Sequence, residues 1–349
     1  MDIVAYLEQY RPAFKKASED ALPRKMTEGW LKQLHEPKYG TQADTHALTE
    51  AISKPCYDLL DRGGKMWRPA LLLMAACAVS GKDEKEMLPK ILPFVPVVEL
   101  IHNGSLIIDD MEDKSELRRG KPAIHKLYGE DIAINAGNAL YFLAYQPLLG
   151  YPASVRARLY DVVTTGTMKL HLGQAMDIYW HNHPGRISKE QYLHMCMLKT
   201  GMLSSIAAQL GAIIGGGTKN DTAALEKFGH VIGVAFQIQD DIMNVQPTRA
   251  WGKTTAEDIT EGKLSLPVII TLEKATAEER ERLLEILCTH TTDAALKKEA
   301  VALLLKHRAL IAAQDAAKQL VTEAKQEITQ LKRPEKLLAL ADFVIKRSV

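Results

Sequence analysis

Two acidic clusters follow mostly apolar segments of this chain. The first reads Asp-Asp-Met-Glu-Asp from Asp109 to Asp113, and the second begins with Asp240-Asp241 and ends at Asn244. Helix positions four apart share a face, so Asp109 and Asp113 point the same way, as Asp240 and Asn244 do. Carboxylates at the end of an apolar helix are costly without a partner, and Mg²⁺ is commonly bound by a few carboxylates together with substrate phosphates. The two clusters together favour a magnesium site, although either alone is equally typical of exposed acid at a helix end.

A basic, glycine-containing segment precedes the first cluster. Residues 62–69 read Arg-Gly-Gly-Lys-Met-Trp-Arg-Pro. Its glycines, Gly64 among them, allow the backbone to approach a ligand closely. Lys65 and Arg68 offer a point charge and a bidentate fork, both of which suit phosphate. The segment is typical of an anion site or, equally, of an ordinary loop before a helix.

Further basic residues lie near both clusters. Arg118 and Arg119 come soon after the first cluster, where they either neutralise its carboxylates or help to hold an anion. Lys199-Thr200 lies inside a helical stretch, and Lys253 and Lys263 follow the second cluster. Because isolated charges are usually solvated, these last residues are weak signals by themselves.

The elements that must position these residues are helices. Apolar residues recur at helical period along nearly the whole chain, and convincing alternation at period two is absent. Pro93 and Pro96 fit best near the start of the helix that ends in the first cluster, because an interior proline breaks a helix. The sequence therefore predicts an all-α architecture of about ten or more helices, with a break at 120–122 and helices at 3–20, 44–60, 68–80, 92–113, 130–148, 153–180, 188–214, 220–246, 265–274, 276–289, 293–304, 307–331 and 334–346, besides a short helix capped by Asp83.

Composition narrows the class of protein. Without a linker or a shift in composition, the 349 residues are predicted to form one large domain, 1–349. A net charge of +1 predicts no bulk attraction to nucleic acid or anionic membrane. No run of about 18 apolar residues is free of charge and the N-terminus lacks signal-peptide features, so we expect no membrane span. The four cysteines lack metal or disulfide spacing, which indicates thiols in a reducing, cytoplasmic compartment.

Between about residues 55 and 270 the motifs occur in the order found in one known family. The chain resembles the trans-isoprenyl diphosphate synthases, which are head-to-tail prenyltransferases. The stretches 102–120, 173–180 and 257–263 most resemble the geranylgeranyl diphosphate synthases of eukaryotes. The resemblance implies the isoprenoid synthase fold, a bundle of helices around a central cavity. It rests on Gly63-Gly64-Lys65-x-x-Arg68-Pro69, the first acidic cluster, Leu117-Arg118-Arg119-Gly120, Lys199-Thr200-Gly201 and Phe236-Gln237-x-x-Asp240-Asp241.

The resemblance also implies a reaction. In this family the C–O bond of an allylic diphosphate (dimethylallyl, geranyl or farnesyl) ionises, isopentenyl diphosphate attacks the allylic cation, and a proton is then lost, with pyrophosphate as the expected acceptor. The cofactor implied is Mg²⁺, three ions when substrate is bound, which stabilise charge on the leaving group.

Roles follow for individual residues that match the family motifs. The magnesium ligands would be Asp109, Asp113 and Asp240, supported by Asp110 and Asp241. The allylic diphosphate would be bound by Arg118, Lys199, Lys253 and Lys263. Isopentenyl diphosphate would be bound by Gly64, Lys65, Arg68, His102 and Arg119. Thr200 and Gln237 would line the space where the cation forms. Without the family, His102 is also compatible with a core histidine satisfied by a neighbour.

The chain departs from the family pattern at two positions. Asn244 stands where many members have Asp. The eukaryotic subgroup that the chain resembles also has Asn at this position. Because an amide is a neutral ligand at best, we expect the first cluster to carry more of the metal charge. Met66 stands where many members have Arg, and we expect a modest effect because Lys65 and Arg68 are retained.

Two small residues are candidates for control of product length. Gly104 and Ser105 precede Asp109 by five and four residues, about one helical turn. Small side chains there would leave room for a growing apolar chain, with Tyr141 and Phe142 as the floor, and predict geranylgeranyl diphosphate as product. Close packing between helices is an alternative explanation of the same small residues. A farnesyl or longer product stays open.

Other classes of protein share parts of this pattern. A terpene cyclase binds a single diphosphate and has no use for Lys65, Arg68 and His102. A non-catalytic regulatory subunit has no reason to keep both acidic clusters, and a head-to-head synthase fits the later motifs less well. The family predicts a homodimer, for which the helices at 130–148 and 153–180 would supply an apolar face.

Overall fold

The computed structural model describes residues 1–34, 43–246 and 256–346, and these ranges are almost entirely helical, which confirms the predicted fold class. The α-helices of the N-terminal half are α1 (Ile3–Ala21), α2 (Glu28–Leu34), α3 (Thr45–Leu48), α4 (Lys54–Asp61), α5 (Trp67–Ser80), α6 (Glu84–Ile91), α7 (Val95–Glu112), α8 (Ile124–Tyr128), α9 (Glu130–Leu143) and α10 (Ala153–Asn182). Those that follow are α11 (Lys189–Cys196), α12 (Met202–Ile214), α13 (Lys219–Val245), α14 (Glu257–Thr260), α15 (Leu266–Lys274), α16 (Ala277–Cys288), α17 (Ala294–Lys306), α18 (Ala309–Glu327) and α19 (Glu335–Lys346).

Short segments of other geometry interrupt this series. π-helical turns occur at Thr49–Ser53 and Met197–Gly201, and 3₁₀ turns at Leu92–Phe94 and Gln146–Gly150. The predicted break at 120–122 is a small antiparallel hairpin, in which β1 (Leu117–Arg118) pairs with β2 (Lys121–Pro122).

Two compact units account for the chain. The first unit comprises Asp2–Ala70 and Leu88–Tyr160, and the second comprises Leu71–Met87 and Asp161–Val349. The first acidic cluster belongs to the first unit and the second cluster to the second unit. The single domain expected from the sequence stays a prediction.

The core of the first unit is built around α7. This helix begins with Pro96 in its first turn, as predicted, where a missing N–H costs nothing. It packs against α9 and α1, and most of its residues are buried. Helix α1 is capped by the Asp2 side chain, which accepts from the N–H groups of Val4 and Ala5, and it buries Phe14 completely. The N-terminal residues thus complete the packing around α7.

The core of the second unit is built around α13. This helix packs against α12 and α18, and α12 is almost entirely buried. Reciprocal capping boxes fix the starts of α11, α13 and α16, through Ser188 with Gln191, Thr218 with Asp221 and Thr276 with Glu279. The carboxylate of Asp83 accepts from the Glu86 N–H at 3.0 Å, which confirms the predicted cap of α6.

Two helical stretches in the described part of the chain are long and apolar enough to cross a membrane, Glu84–Glu112 and Lys189–Ile214. In their most apolar windows, 67% and 72% of the residues are buried inside the protein. Buried core helices of soluble proteins have the same length and composition, so these stretches are weak evidence for membrane spans.

Candidate active site

The carboxylates at the end of α7 differ in their surroundings. Asp110 is completely buried, whereas the side chain of Asp109 is 20% exposed. The Arg118 guanidinium donates from Nε to Asp110 Oδ1 at 2.6 Å, while its Nη2 lies 3.7 Å from Asp109 Oδ2. Asp110 therefore has a cation of its own, and its supporting role stays a prediction. Asp109 and Asp113, four residues apart, lie on the more accessible side of the cluster.

Hydrogen bonds from Arg62 hold the hairpin that carries Arg118 in place. Its two turn residues, Arg119 and Gly120, have φ values of 52° and 74°, the left-handed conformation of a two-residue hairpin turn. Arg62 donates from Nη1 to the Arg118 carbonyl at 2.9 Å and forms an ion pair with Asp58 at 2.6 Å. The Arg62 side chain is only 1% exposed, whereas that of Asp58 is 25% exposed, so a largely buried guanidinium holds the hairpin in place.

Four residues of the predicted isopentenyl diphosphate site, Gly64, Lys65, Arg68 and Arg119, lie in the same unit. A Cβ at Gly64 would lie 3.2 Å from Arg119 Nη2, so the glycine leaves room for the guanidinium rather than for a ligand. Arg119 also donates to the Leu59 carbonyl at 3.2 Å. Arg68 is buried, with its guanidinium carbon 4.7 Å from the centre of the Trp67 ring. Lys65 is half-buried.

Burial and nearby charged side chains determine the protonation state of His102. Burial and the nearby cations Arg68 and Arg119 lower the pKa of His102 well below its usual value, so its imidazole is neutral at pH 7. Burial raises the pKa of Glu99, which lies within the influence of the same two arginines. Sequence reasoning missed Glu99, although an acidic residue in the apolar first half of α7 was a usable signal.

The structure corrects the role predicted for Gly104. A Cβ at this position would lie 2.8 Å from the Gly137 carbonyl oxygen and 3.1 Å from Leu140 Cβ. The glycine thus permits close packing of α7 on α9, the alternative explanation. Ser105 differs, because it lies on the same face as Asp109, is partly exposed, and donates from Oγ to the His102 carbonyl at 2.8 Å. Of the two small residues, only Ser105 therefore stays a candidate for the control of chain length.

The predicted pocket floor is corrected as well. Phe142 is 74% exposed, and an exposed ring does not close a pocket within one chain. Successive helix residues point about 100° apart, so Tyr141 and Phe142 do not share a face. Tyr141 is partly buried, and its backbone nitrogen would lie 3.7 Å from a Cβ at Gly104.

In the second unit a hydrogen-bonded chain links the predicted residues. Thr200 donates from Oγ1 to Gln237 Oε1 at 2.9 Å, and Gln237 donates from Nε2 to Asp241 Oδ1 at 3.0 Å. Burial raises the pKa of Asp241 to about 6, although hydrogen bonds from Tyr192, Gln237 and the Leu266 N–H oppose the rise. Asp240 is partly exposed, so of the two carboxylates it is the more accessible for a metal.

Lys199 and Thr200 lie on the π-helical turn between α11 and α12. Three glycines allow other helices to touch this turn: a Cβ at Gly173 would lie 2.3 Å from the Lys199 nitrogen, one at Gly201 would lie 2.7 Å from the His230 carbonyl oxygen, and one at Gly233 would lie 2.5 Å from Gly201 Cα. The Lys199 ammonium pairs with Asp177 at 2.6 Å. π turns are frequent at functional sites, and here the π turn carries Lys199 and Thr200.

Hydrogen bonds connect the segment around Asp258 to the end of α13. Asn244 is 2% exposed; its Nδ2 donates to Asp258 Oδ1 at 2.9 Å, and its Oδ1 accepts from the Asp258 N–H at 3.3 Å. Both halves of the amide are thus used inside the protein. Lys263 pairs with Glu261 at 2.7 Å. Lys253 lies outside the described residues.

The carboxylates of each acidic cluster are of the type that binds Mg²⁺, although the described ranges contain no three acidic, histidine or cysteine side chains grouped as a ready-made metal site. Asp109, Asp113 and Asp240 offer carboxylate oxygens, the ligands of a hard cation. Mg²⁺ commonly takes only one or two carboxylates and completes its shell with water and substrate phosphate, so the acids present suffice in number and type.

Comparison with known proteins identifies the family. The sequence model of the polyprenyl synthetase family matches residues 49–304. The chain belongs to the polyprenyl synthetase family. The resemblance read from the motifs is therefore confirmed, and the protein is a prenyltransferase.

Individual polyprenyl synthetases are similar over most of their length. The short chain isoprenyl diphosphate synthase of Methanothermobacter thermautotrophicus is 36% identical over 323 residues, 89% of this chain and 97% of that protein. The geranylgeranyl diphosphate synthase of Methanosarcina mazei is 34% identical over 85% of this chain and 90% of its own. The crystal structure of geranylgeranyl pyrophosphate synthetase from Pyrococcus horikoshii superposes with a TM-score of 0.78 at 30% identity, covering 97% of this chain and 99% of that one. Fungal and plant geranylgeranyl pyrophosphate synthases match as well.

Proposed function

We propose that this protein is a Mg²⁺-dependent head-to-tail prenyltransferase that condenses isopentenyl diphosphate with an allylic diphosphate to give geranylgeranyl diphosphate. The observation that carries the proposal is that Arg68 and Arg119 lie close enough to act on both Glu99 and neutral His102, in the unit that also carries Asp109. This second cationic cluster is what a two-substrate synthase needs and a terpene cyclase does not.

Different residues would bind the metal and the allylic diphosphate. Asp109, Asp113 and Asp240 would hold Mg²⁺, three ions with substrate bound, and the metal charge would stabilise the pyrophosphate leaving group. Arg118, Lys199 and Lys263, together with Lys253, would bind the allylic diphosphate. The first three already pair with carboxylates of their own unit, Asp110, Asp177 and Glu261, which positions the cations before substrate arrives.

The isopentenyl diphosphate site would use charge and a neutral donor together. Arg68, Arg119 and Lys65 would bind its phosphates, and Glu99 would hold the two arginines. Because His102 is neutral, it can donate one hydrogen bond without adding a cation close to the developing carbocation. Thr200 and Gln237 would present oxygen atoms to that carbocation.

The twenty-carbon product is supported by two considerations. Several relatives are named geranylgeranyl diphosphate synthases. Ser105 is small and lies one turn before Asp109 on the same helix face, which leaves space for a growing chain beside the metal site. A large side chain at this position would favour a shorter product.

A product assay tests the proposal. The purified protein is incubated with isopentenyl diphosphate and with dimethylallyl, geranyl or farnesyl diphosphate, in Mg²⁺ and in EDTA. A linear twenty-carbon diphosphate that forms only with Mg²⁺ is expected. A fifteen-carbon or longer product would keep the class and overturn the chain length. Cyclic hydrocarbon from an allylic diphosphate alone would overturn the class.

Two further properties belong to the proposal. We expect a homodimer, because α10 exposes Met168, Leu172 and Tyr179, and α9 exposes Phe142. We expect a cytoplasmic enzyme, because its cysteines are free thiols and three of them, Cys56, Cys77 and Cys196, are buried.

A further inference from the structure

A buried tyrosine lies at the base of the chain that links Thr200, Gln237 and Asp241. Tyr192, on α11, is 2% exposed, and its hydroxyl donates to Asp241 Oδ2 at 2.5 Å. The N–H of Leu266 donates to the same oxygen at 2.9 Å. A fully buried tyrosine hydroxyl needs a partner, and here the partner is the carboxylate next to the predicted metal ligand Asp240.

These two donors fix what the other carboxylate oxygen does. With Oδ2 occupied by two donors, Oδ1 is turned toward Gln237 and accepts from its Nε2 at 3.0 Å. The Gln237 amide is thereby oriented with its Oε1 toward Thr200, from which it accepts at 2.9 Å. All hydrogen bonds of the chain therefore run in one direction, from Thr200 through Gln237 to Asp241.

This direction matters for the chemistry proposed above. Because the Thr200 proton and one Gln237 amide proton are consumed within the chain, the remaining lone pairs of Thr200 Oγ1 and Gln237 Oε1 can serve a cationic centre. In the opposite direction, an N–H group of Gln237 would replace its oxygen and would repel a carbocation. Electrostatic preorganisation of this kind is a large contribution in many enzymes.

We propose that Tyr192 is a positioning residue of the prenyl transfer: its hydroxyl, together with the Leu266 N–H, holds Asp241 so that Gln237 and Thr200 present oxygen rather than N–H to the allylic cation. The inference rests on the proposed function and adds a residue that touches neither substrate nor metal. The competing explanation is structural, namely that Tyr192 only ties α11 to α13.

The first experiment compares two tyrosine-to-phenylalanine variants. In Tyr192→Phe we expect kcat to fall about tenfold to a hundredfold, the equivalent of one hydrogen bond to a charged group, while KM for isopentenyl diphosphate stays the same. The matched control is Tyr57→Phe, which also removes a buried hydroxyl, one that donates to the Leu22 carbonyl. The control should keep its kcat.

The second experiment reverses the direction of the hydrogen bonds from Thr200 through Gln237 to residue 241, and it keeps Tyr192. In Asp241→Asn the amide oxygen remains the acceptor for Tyr192 and Leu266, so the amide nitrogen must face Gln237. Gln237 then turns its oxygen toward residue 241 and its nitrogen toward Thr200. We expect a fall in kcat similar to that of Tyr192→Phe, and this variant serves if Tyr192→Phe does not fold.

A double-mutant cycle separates positioning from stability. If Tyr192 acts through Gln237, then Tyr192→Phe should lower kcat in the wild type and have no further effect in a Gln237→Ala background. Additive losses, or a Tyr192→Phe variant as active as Tyr57→Phe, would overturn the inference while the wild-type enzyme stays active. A wild-type protein that makes no linear product would instead overturn the proposed function, and the inference with it.

Discussion

At the scale of single residues, the cations predicted to bind diphosphate are already engaged. Arg118 pairs with Asp110, Lys199 with Asp177 and Lys263 with Glu261, and all three cations are at most 20% exposed. A partly buried cation without a counter-ion would be costly, so each carboxylate stabilises its partner before a substrate supplies phosphate. Asp177 had no role in the motif analysis, although it lies in the 173–180 stretch that resembles the family.

Gly104 and Ser105 give the sharpest residue-scale prediction. In Ser105→Phe the ring would fill the helix face that carries Asp109, and we expect the main product to shorten to fifteen carbons. In Gly104→Ala the new Cβ would meet the Gly137 carbonyl oxygen at 2.8 Å. We expect a loss of about 1–3 kcal/mol in the free energy of unfolding, with unchanged product length. Chromatography of the products and urea unfolding measure both, and a shorter product from Gly104→Ala would restore the original assignment.

At the scale of elements, the decisive feature of the second unit is the π turn Met197–Gly201. The sequence predicts one helix over 188–214, whereas the structure divides it into α11, the π turn and α12. Hydrophobic periodicity does not reveal a π turn with one extra residue, because the apolar pattern on both sides of the turn stays helical. The Lys-Thr-Gly motif marked the position without revealing its geometry.

The packing of this turn predicts a pair of contrasting glycine variants. In Gly201→Ala a Cβ would lie 2.7 Å from the His230 carbonyl oxygen, so the turn must shift and carry Lys199 and Thr200 with it. We expect a loss of about 1–3 kcal/mol in unfolding free energy and a lower kcat. Gly150→Ala, with no atom within 4 Å of the new Cβ, is the control and should change neither quantity. Equal behaviour of the two variants would contradict the account.

A second element-scale prediction concerns the N-terminal region. Arg24 binds Asp61 through two hydrogen bonds of 2.8 Å, and this contact lowers the pKa of Asp61 to about 2. Because the folded-state pKa lies below the usual value of about 3.9, the stabilisation is present above about pH 4 and is lost as the pH falls toward 2. For this half-exposed pair we expect Asp61→Asn to cost about 0.5–1 kcal/mol at pH 7. Urea unfolding at pH 7 and pH 3 should show the difference from wild type shrinking, and a constant difference would contradict the assignment.

At the scale of the whole molecule, the sequence was sufficient for the helices and the motifs but not for packing. Amphipathic period and Pro96 located α7 to within a few residues, since both are local properties. Short α2, α8 and α14 were missed because a single turn or two carries too little periodicity. Gly104, Phe142 and Tyr192 needed the structure, because their roles depend on residues that are distant in sequence.

The exposed apolar face of α10 leads to a prediction about assembly. Met168, Leu172 and Tyr179 are 60%, 49% and 62% exposed, and their spacing places them on one side of the helix. We expect sedimentation to show a dimer and Leu172→Glu to show a monomer at the same concentration. Ile311→Glu, at a position on α18 that is 61% exposed, is the control and should remain a dimer. A monomeric wild type would overturn the predicted homodimer.

We propose above that Asp109 and Asp240 both hold Mg²⁺ for prenyl transfer, and a double-mutant cycle on kcat/KM tests this proposal most directly. Asp109→Ala and Asp240→Ala are assayed singly and together, with isopentenyl and farnesyl diphosphates in saturating Mg²⁺. The account predicts that each variant loses at least about a hundredfold in kcat/KM while remaining folded, and that the double variant is scarcely worse than either. Independent, additive losses would show that the two carboxylates act separately, and a single variant with nearly wild-type rate would remove its carboxylate from the proposed metal ligands.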